Sequence, residues 1–145
     1  MITHSVEISR PPKEVFDYID QLARHTEWQA NLVDVKVQGD GTTGVGTRAT
    51  ETRKGPGGGT YTFEITEYDP PWRVAFKGLD GAIRPTGKVR ILPLDGLTRS
   101  RVMLELELEA FTGMGKFMLP FARWGAQKQI PKDHAKLKEL LEAGS

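Results

Sequence analysis

The final third of the chain limits the possible folds more than any other segment. Residues 101–110 alternate strictly, with Val102, Leu104, Leu106 and Leu108 on one side and Met103, Glu105, Glu107 and Glu109 on the other. That is a period-two strand with one face for a core and one for solvent. A glycine hinge, Gly113-Met114-Gly115, follows, and about thirty residues of helical pattern then run to the C-terminus. A strand-rich chain that ends in one long helix has few ways to bury it, and the simplest is to lay it across the open face of the sheet. If the near face of that helix carries small side chains, a gap remains between helix and sheet.

The preceding residues supply the sheet. Ile2, His4, Val6 and Ile8 alternate with Thr3, Ser5, Glu7 and Ser9, as in a half-buried strand. Pro11-Pro12 stops it and suits the first turn of a helix, where a missing N–H costs nothing. Val15, Phe16, Ile19, Leu22 and Ala23 repeat at helical spacing, and a second short turn is expected over His25 to Trp28. Residues 32–38 alternate again, with Val33, Val35 and Val37 on one side. Strands are then expected over 46–54, 60–68, around Val74 and Phe76, over 88–92 and over 99–110. Turns at Gly39-Asp40-Gly41, Gly55-Pro56-Gly57-Gly58-Gly59, Asp69-Pro70-Pro71 and Asp95-Gly96 separate them. If the last two strands pair, Lys88 and Arg90 complement the acidic row of residues 105–109. The order is strand, two short helices, about six strands and a long helix. This is an α+β arrangement, a mostly antiparallel sheet with helices on one face.

A chain of 145 residues is expected to form one domain over 1–145. Its net charge of +1 argues against a general nucleic-acid binder. The absence of cysteine excludes disulfides and thiolate chemistry. No apolar run reaches the length of a transmembrane segment, and the N-terminus lacks the basic start and apolar core of a signal peptide, so a cytoplasmic location is expected. Gly39-Asp40-Gly41-Thr42-Thr43-Gly44 matches G-x-G-x-x-G but leads into a strand-like segment, whereas a dinucleotide site needs a helix N-terminus there. It reads as a turn, and no cofactor is expected. His4, His25 and His134 have no second ligand at metal-binding spacing, so no metal is expected either.

Two segments do suggest chemistry. Between residues 47 and 54 neither face is apolar: Thr47, Ala49, Glu51 and Arg53 alternate with Arg48, Thr50, Thr52 and Lys54. Such a strand is either an edge or the lining of a partly wet cavity. In the second case Glu51 and Arg53 orient a ligand or keep each other charged. His25, in a connecting segment beside Glu27 and Trp28, is the third candidate group. In the C-terminal helix, at 100° per residue, Phe117, Phe121 and Trp124 fall on one side. Met118, Ala122, Gly125, Ala126 and Gln129 fall a quarter to half a turn away, nearer the face continued by Ile130, Leu137, Leu140 and Leu141. Two arrangements follow. Either the leucines dock on the sheet, the small residues and Gln129 face it, and the aromatics lie outside; or a break at Pro131 brings the aromatics into the core. The first is preferred, because a proline kink bends an axis without rotating a face by half a turn. Aromatics left outside would form an interaction patch for a homodimer, another partner or a peripheral membrane contact.

Residues 8–28 (I-S-R-P-P-K-E-V-F-D-Y-I-D…W), residues 44–48 (G-V-G-T-R), residues 65–73 (I-T-E-Y-D-P-P-W-R) and the closing 130–142 segment (I-P-K-D…L-K-E-L-L-E) resemble the START/polyketide-cyclase (SRPBCC) superfamily, in its polyketide cyclase/dehydrase-like branch. The resemblance implies a helix-grip fold, a curved antiparallel sheet of about seven strands around a long C-terminal helix. It implies a small hydrophobic ligand (a lipid, quinone or polyketide) held between sheet and helix. Family membership alone does not fix the function. The expected pocket is lined by Phe63, Ile65, Phe76, Val89, Ile91, Met118 and Ala122, with Glu51, Arg53 and Gln129 as its few polar contacts. Two alternatives stay open. One is a cyclase/aromatase-type enzyme in which Arg53 stabilises an enolate oxygen and Glu51 or His25 moves the proton. The other is a protein- or membrane-interaction module using Phe117, Phe121 and Trp124.

Overall fold

In the computed structural model, which describes residues 1–40, 42–55 and 58–144, alternation and helical spacing resolve into seven strands and three helical segments. The order is β1 (Ile2–Ile8), α1 (Pro12–Ile19), a 3-10 helix (Leu22–Glu27), β2 (Leu32–Val37), β3 (Arg48–Arg53), β4 (Gly59–Asp69), β5 (Arg73–Gly78), β6 (Ile83–Leu94), β7 (Arg99–Ala110) and α2 (Gly113–Ala143). All strand pairs are antiparallel and form one curved sheet, ordered β1-β7-β6-β5-β4-β3-β2. The first strand returns beside the last, so β1 and β2 are the edges. No helix among the described residues is long and apolar enough to cross a membrane.

The outer, convex face carries the expected charge complement. Arg90 pairs with Glu105 at 3.4 Å, Lys88 with Glu67 at 3.4 Å, and Arg48 with Glu64 at 3.2 Å. The inner face holds two apolar clusters. Ile8, Val15, Phe16, Ile19, Ile91, Val102 and Leu137 join α1 and the end of α2 to the sheet. Leu22, Leu32, Val35 and Ala49 form a second cluster under the 3-10 helix.

Four expectations need correction. Residues 113–115 are not a hinge. They form the first turn of α2, capped by Thr112, whose hydroxyl accepts the Gly115 N–H at 2.9 Å. Gly115 is buried because its backbone lies against the Ala82 carbonyl, where a Cβ would collide. Next, β3 is an interior strand between β2 and β4, so its polar character does not come from an edge position. Val33 does not share a face with Val35 and Val37. A register shift between Leu32 and Asp34 turns it to solvent and brings Leu32 inward with Val35. Finally, β6 begins at Ile83, five residues earlier than its apolar pattern suggested. Pro85 and Gly87 disguise that extension, and Gly87 is required because the Phe76 ring occupies the space of its Cβ.

The expected turns at Gly39-Asp40-Gly41 and over residues 55–59 include Gly41, Pro56 and Gly57, which lie outside the described residues. After Gly44 the chain enters β3 rather than a helix, so the G-x-G-x-x-G match has no helix N-terminus to offer a pyrophosphate.

Candidate functional site

The C-terminal helix is continuous for 31 residues, through both Pro120 and Pro131. The broken-helix arrangement, with aromatics in the core, is therefore excluded. Phe117, Phe121 and Trp124 are 60–69% exposed, whereas Leu137 is fully buried. Helical phase then places Met118, Ala122, Ala126 and Gln129 on the opposite side in the first half of α2, and all four are half-buried. The helix packs on β1, β7 and β6.

Burial along the inner face of the sheet is uneven. Near the end of α2 it is closed: Ile91 and Val102 belong to the core cluster with Leu137. Toward the start of α2 it is not. Phe63, Phe76, Val89, Leu104, Leu106 and Leu108 are only half-buried, although they are apolar and point inward by strand alternation. Phe63 and Phe76 meet edge to face, with ring centroids 6.0 Å apart. Of the residues expected to line a pocket, Phe63, Phe76, Val89, Met118 and Ala122 thus lie in the half-buried region, while Ile65 and Ile91 are each only 2% exposed.

The three candidate polar groups come together. Ala49 is buried in the inner cluster, so Glu51 and Arg53, at the next alternate positions of β3, also face inward. Arg53 forks onto Glu51, with Nε donating to Oε1 at 2.9 Å and Nη2 to Oε2 at 3.3 Å. The same Nη2 donates to Gln29 Oε1 at 2.7 Å. Such a fork fixes the guanidinium plane as well as its charge. His25 feels both Glu51 and Arg53 electrostatically, and burial holds its imidazole below the ordinary value of 6.5. Its Nε2 lies 2.6 Å from the Ile19 carbonyl oxygen. A carbonyl only accepts, so Nε2 carries the proton and the neutral ring keeps a bare Nδ1.

A second polar group lies where α2 passes the segment after the 3-10 helix. Gln129 is half-buried and donates to Asp133 Oδ1 at 2.8 Å, and the same oxygen accepts the Ala30 N–H at 3.2 Å. Next to it, His134 Nδ1 meets His4 Nδ1 at 2.6 Å, across the seam between α2 and β1. Burial, and then the neighbouring His4, push His134 down to about 4. The Trp28 ring lies tilted against both His25 and His134, and its indole N–H is buried with no hydrogen-bond partner among the described residues. Sequence patterns do not reveal Gln29, Asp133 or the histidine pair. The one available signal is His4 itself, a polar residue on the apolar side of a strand. Among the described residues no cluster of three or more metal-ligating side chains occurs.

A curved seven-stranded antiparallel sheet wrapped around a long C-terminal helix defines the helix-grip class. Residues 1–142 match the family model described as polyketide cyclase / dehydrase and lipid transport, and the chain belongs to that family. Solved structures agree on the fold. A protein from Thermus thermophilus superposes with a TM-score of 0.81 at 21% identity, covering 99% of this chain and 98% of its own. The Zhui aromatase/cyclase from a Streptomyces species gives 0.80 at 15% identity, covering 97% and 92%. A START superfamily protein from Mycobacterium smegmatis gives 0.79 at 10% identity, covering 99% and 98%. No curated protein matches this sequence.

Proposed function

We propose that residues 1–145 act as one domain that holds a small hydrophobic molecule of lipid, quinone or polyketide type between the sheet and the first half of α2. One observation carries this reading: a set of inward-facing apolar side chains (Phe63, Phe76, Val89, Leu104, Leu106, Leu108) stays half-buried, while the half-buried face of α2 opposite its aromatics includes two alanines, Ala122 and Ala126, beside Met118 and Gln129. A chain that needed only stability would fill that space with larger side chains, since unfilled apolar contact area costs free energy. The ligand's polar end is matched to Arg53, Glu51 and Gln29, which hold one another in place before anything binds. Family membership and the aromatase/cyclase and START relatives support a hydrophobic ligand of this kind.

Thermal unfolding in the presence of a long-chain fatty acid, a short-tailed quinone and an aromatic polyketide tests the proposal. At least one should raise the melting temperature saturably, because a ligand at 100 times its Kd stabilises the folded state by about 2.7 kcal/mol. Ala122→Trp should remove that response while leaving the unliganded chain folded, because the new indole takes the ligand's place. No response to any of the three would overturn the reading.

Catalysis is the second reading, favoured by a neutral His25 with a bare Nδ1 that feels the charges of the Glu51–Arg53 pair. In that case His25 or Glu51 takes a proton from carbon next to a ligand carbonyl, and Arg53 stabilises the resulting enolate oxygen. Recovery of the bound ligand separates the two readings. A carrier returns it unchanged; an enzyme returns product, and His25→Ala and Glu51→Gln suppress that conversion.

A further inference from the structure

The outward face of α2 has a pattern that the groove does not explain. Met114, Phe117, Phe121, Trp124, Lys128 and Lys132 follow one another at steps of three or four residues, so they form one stripe along the helix. The four apolar members are 60–69% exposed. The Phe117 and Phe121 rings lie 6.2 Å apart, and Lys128 Nζ sits 4.3 Å from the Trp124 ring centre. Phe111, also exposed, extends the apolar end and is covered in part by Arg84. Over residues 113–132 the chain carries Lys116, Arg123, Lys128 and Lys132 and no acidic residue. The carboxylates that precede the helix along the chain, Glu107 and Glu109, belong to the convex row of β7, and Glu107 is already paired with Arg123 and the terminal amine. The first acidic residue of α2, Asp133, is buried and hydrogen-bonded.

The geometry points to a docking face for an anionic lipid bilayer. Phe and Trp side chains on one side of a helix, continued by lysines, match the depth profile of a bilayer surface. The rings enter the headgroup–acyl boundary, tryptophan favours that boundary, and the lysines reach anionic headgroups. The excess of cations over residues 113–132, with no acid among them, favours a negative partner, and a second copy of the chain would add the same positive charge to the contact. The inference stands independently of the groove, since it uses only the opposite face of the helix.

Co-sedimentation with phosphatidylcholine vesicles, with and without a minority of phosphatidylglycerol, is the test. The wild-type chain should bind the anionic vesicles, less so as salt is raised, and only weakly the neutral ones. Phe121→Ser/Trp124→Ser should lower the partition coefficient at least ~10-fold, and Lys128→Glu/Lys132→Glu should abolish the preference for anionic lipid. Trp124→Phe should keep binding but lose quenching by brominated acyl chains, which reports the ring's depth directly. All four altered side chains are exposed, so unchanged circular dichroism is expected throughout. Failure to bind either vesicle, or binding that survives both double substitutions, overturns the proposal. So does a vesicle-free dimer that Phe121→Ser/Trp124→Ser dissolves, which would assign the stripe to a second copy.

Discussion

Two ring nitrogens 2.6 Å apart cannot both carry protons, and this makes the His4–His134 contact a pH-sensitive joint between the first strand and the last helix. His134 is held at about 4 in the folded chain, against 6.5 when unfolded. Between those values the unfolded chain binds the extra proton and the folded chain does not. Stability is therefore complete above about pH 6.5 and declines as pH falls toward 4, by on the order of 3 kcal/mol from this one residue. His25, lowered by its own burial, adds to the loss in the same direction. Urea unfolding of wild type and His134→Gln at neutral and acidic pH measures the effect. The substitution should cost most at neutral pH, and its cost should shrink by up to ~3 kcal/mol as the medium becomes acidic. A gap that does not change with pH assigns the acid sensitivity to other groups. Strand alternation puts His4 on the apolar side of β1, and helical pattern puts His134 in the last helix. Their meeting depends on a separation of 130 residues, for which no local pattern exists.

Among the elements, β3 and α2 show what a pattern can and cannot convey. The polar character of β3 was visible, but two causes fit it, an edge or a wet lining. Only the strand order, with β2 outside it, excludes the edge. In α2 the phase difference between Phe117/Phe121/Trp124 and Leu137 fixed which side faces out, because both groups lie on one unbroken helix. The glycines of α2 were less legible. Gly115 and Gly125 look alike in sequence, yet one abuts the Ala82 carbonyl and the other has open space at its Cβ position. Gly115→Ala should therefore destabilise the chain by about 1–3 kcal/mol, because the Ala82 carbonyl, which also accepts the Phe111 N–H, must move. Gly125→Ala should stabilise it by about 0.5–1 kcal/mol, through helix propensity alone. Melting temperatures of the two variants should shift in opposite directions. Equal losses would mean that Gly125 also needs its bare backbone.

At the scale of the whole molecule, the two halves of α2 are built for different work. The second half holds Leu137 in the main core, and Arg10 on the far side bonds the Leu141 and Glu142 carbonyls. The first half contains Gly113, Gly115, Pro120 and Gly125, Pro131 follows just past the midpoint, and each internal proline removes one helical hydrogen bond. Of the first half's residues only Gly115 is buried, whereas the second half buries Asp133, His134 and Leu137. Such a segment opens at lower free energy than the rest of the fold. Native-state hydrogen exchange should therefore find the amides of residues 117–128 opening well below the global unfolding free energy, while those of residues 134–141 exchange only with it. This imbalance is what a ligand held beneath the helix would use. Opening the first half uncovers the inner face without releasing the anchored end, and a bound apolar molecule supplies the missing contacts and slows exchange there. Saturation with an active compound from the ligand panel should thus raise protection at 117–128 far more than at 134–141. Uniform protection along α2 without ligand would mean that the first half is packed as firmly as the second, and entry would then need a route past some other element.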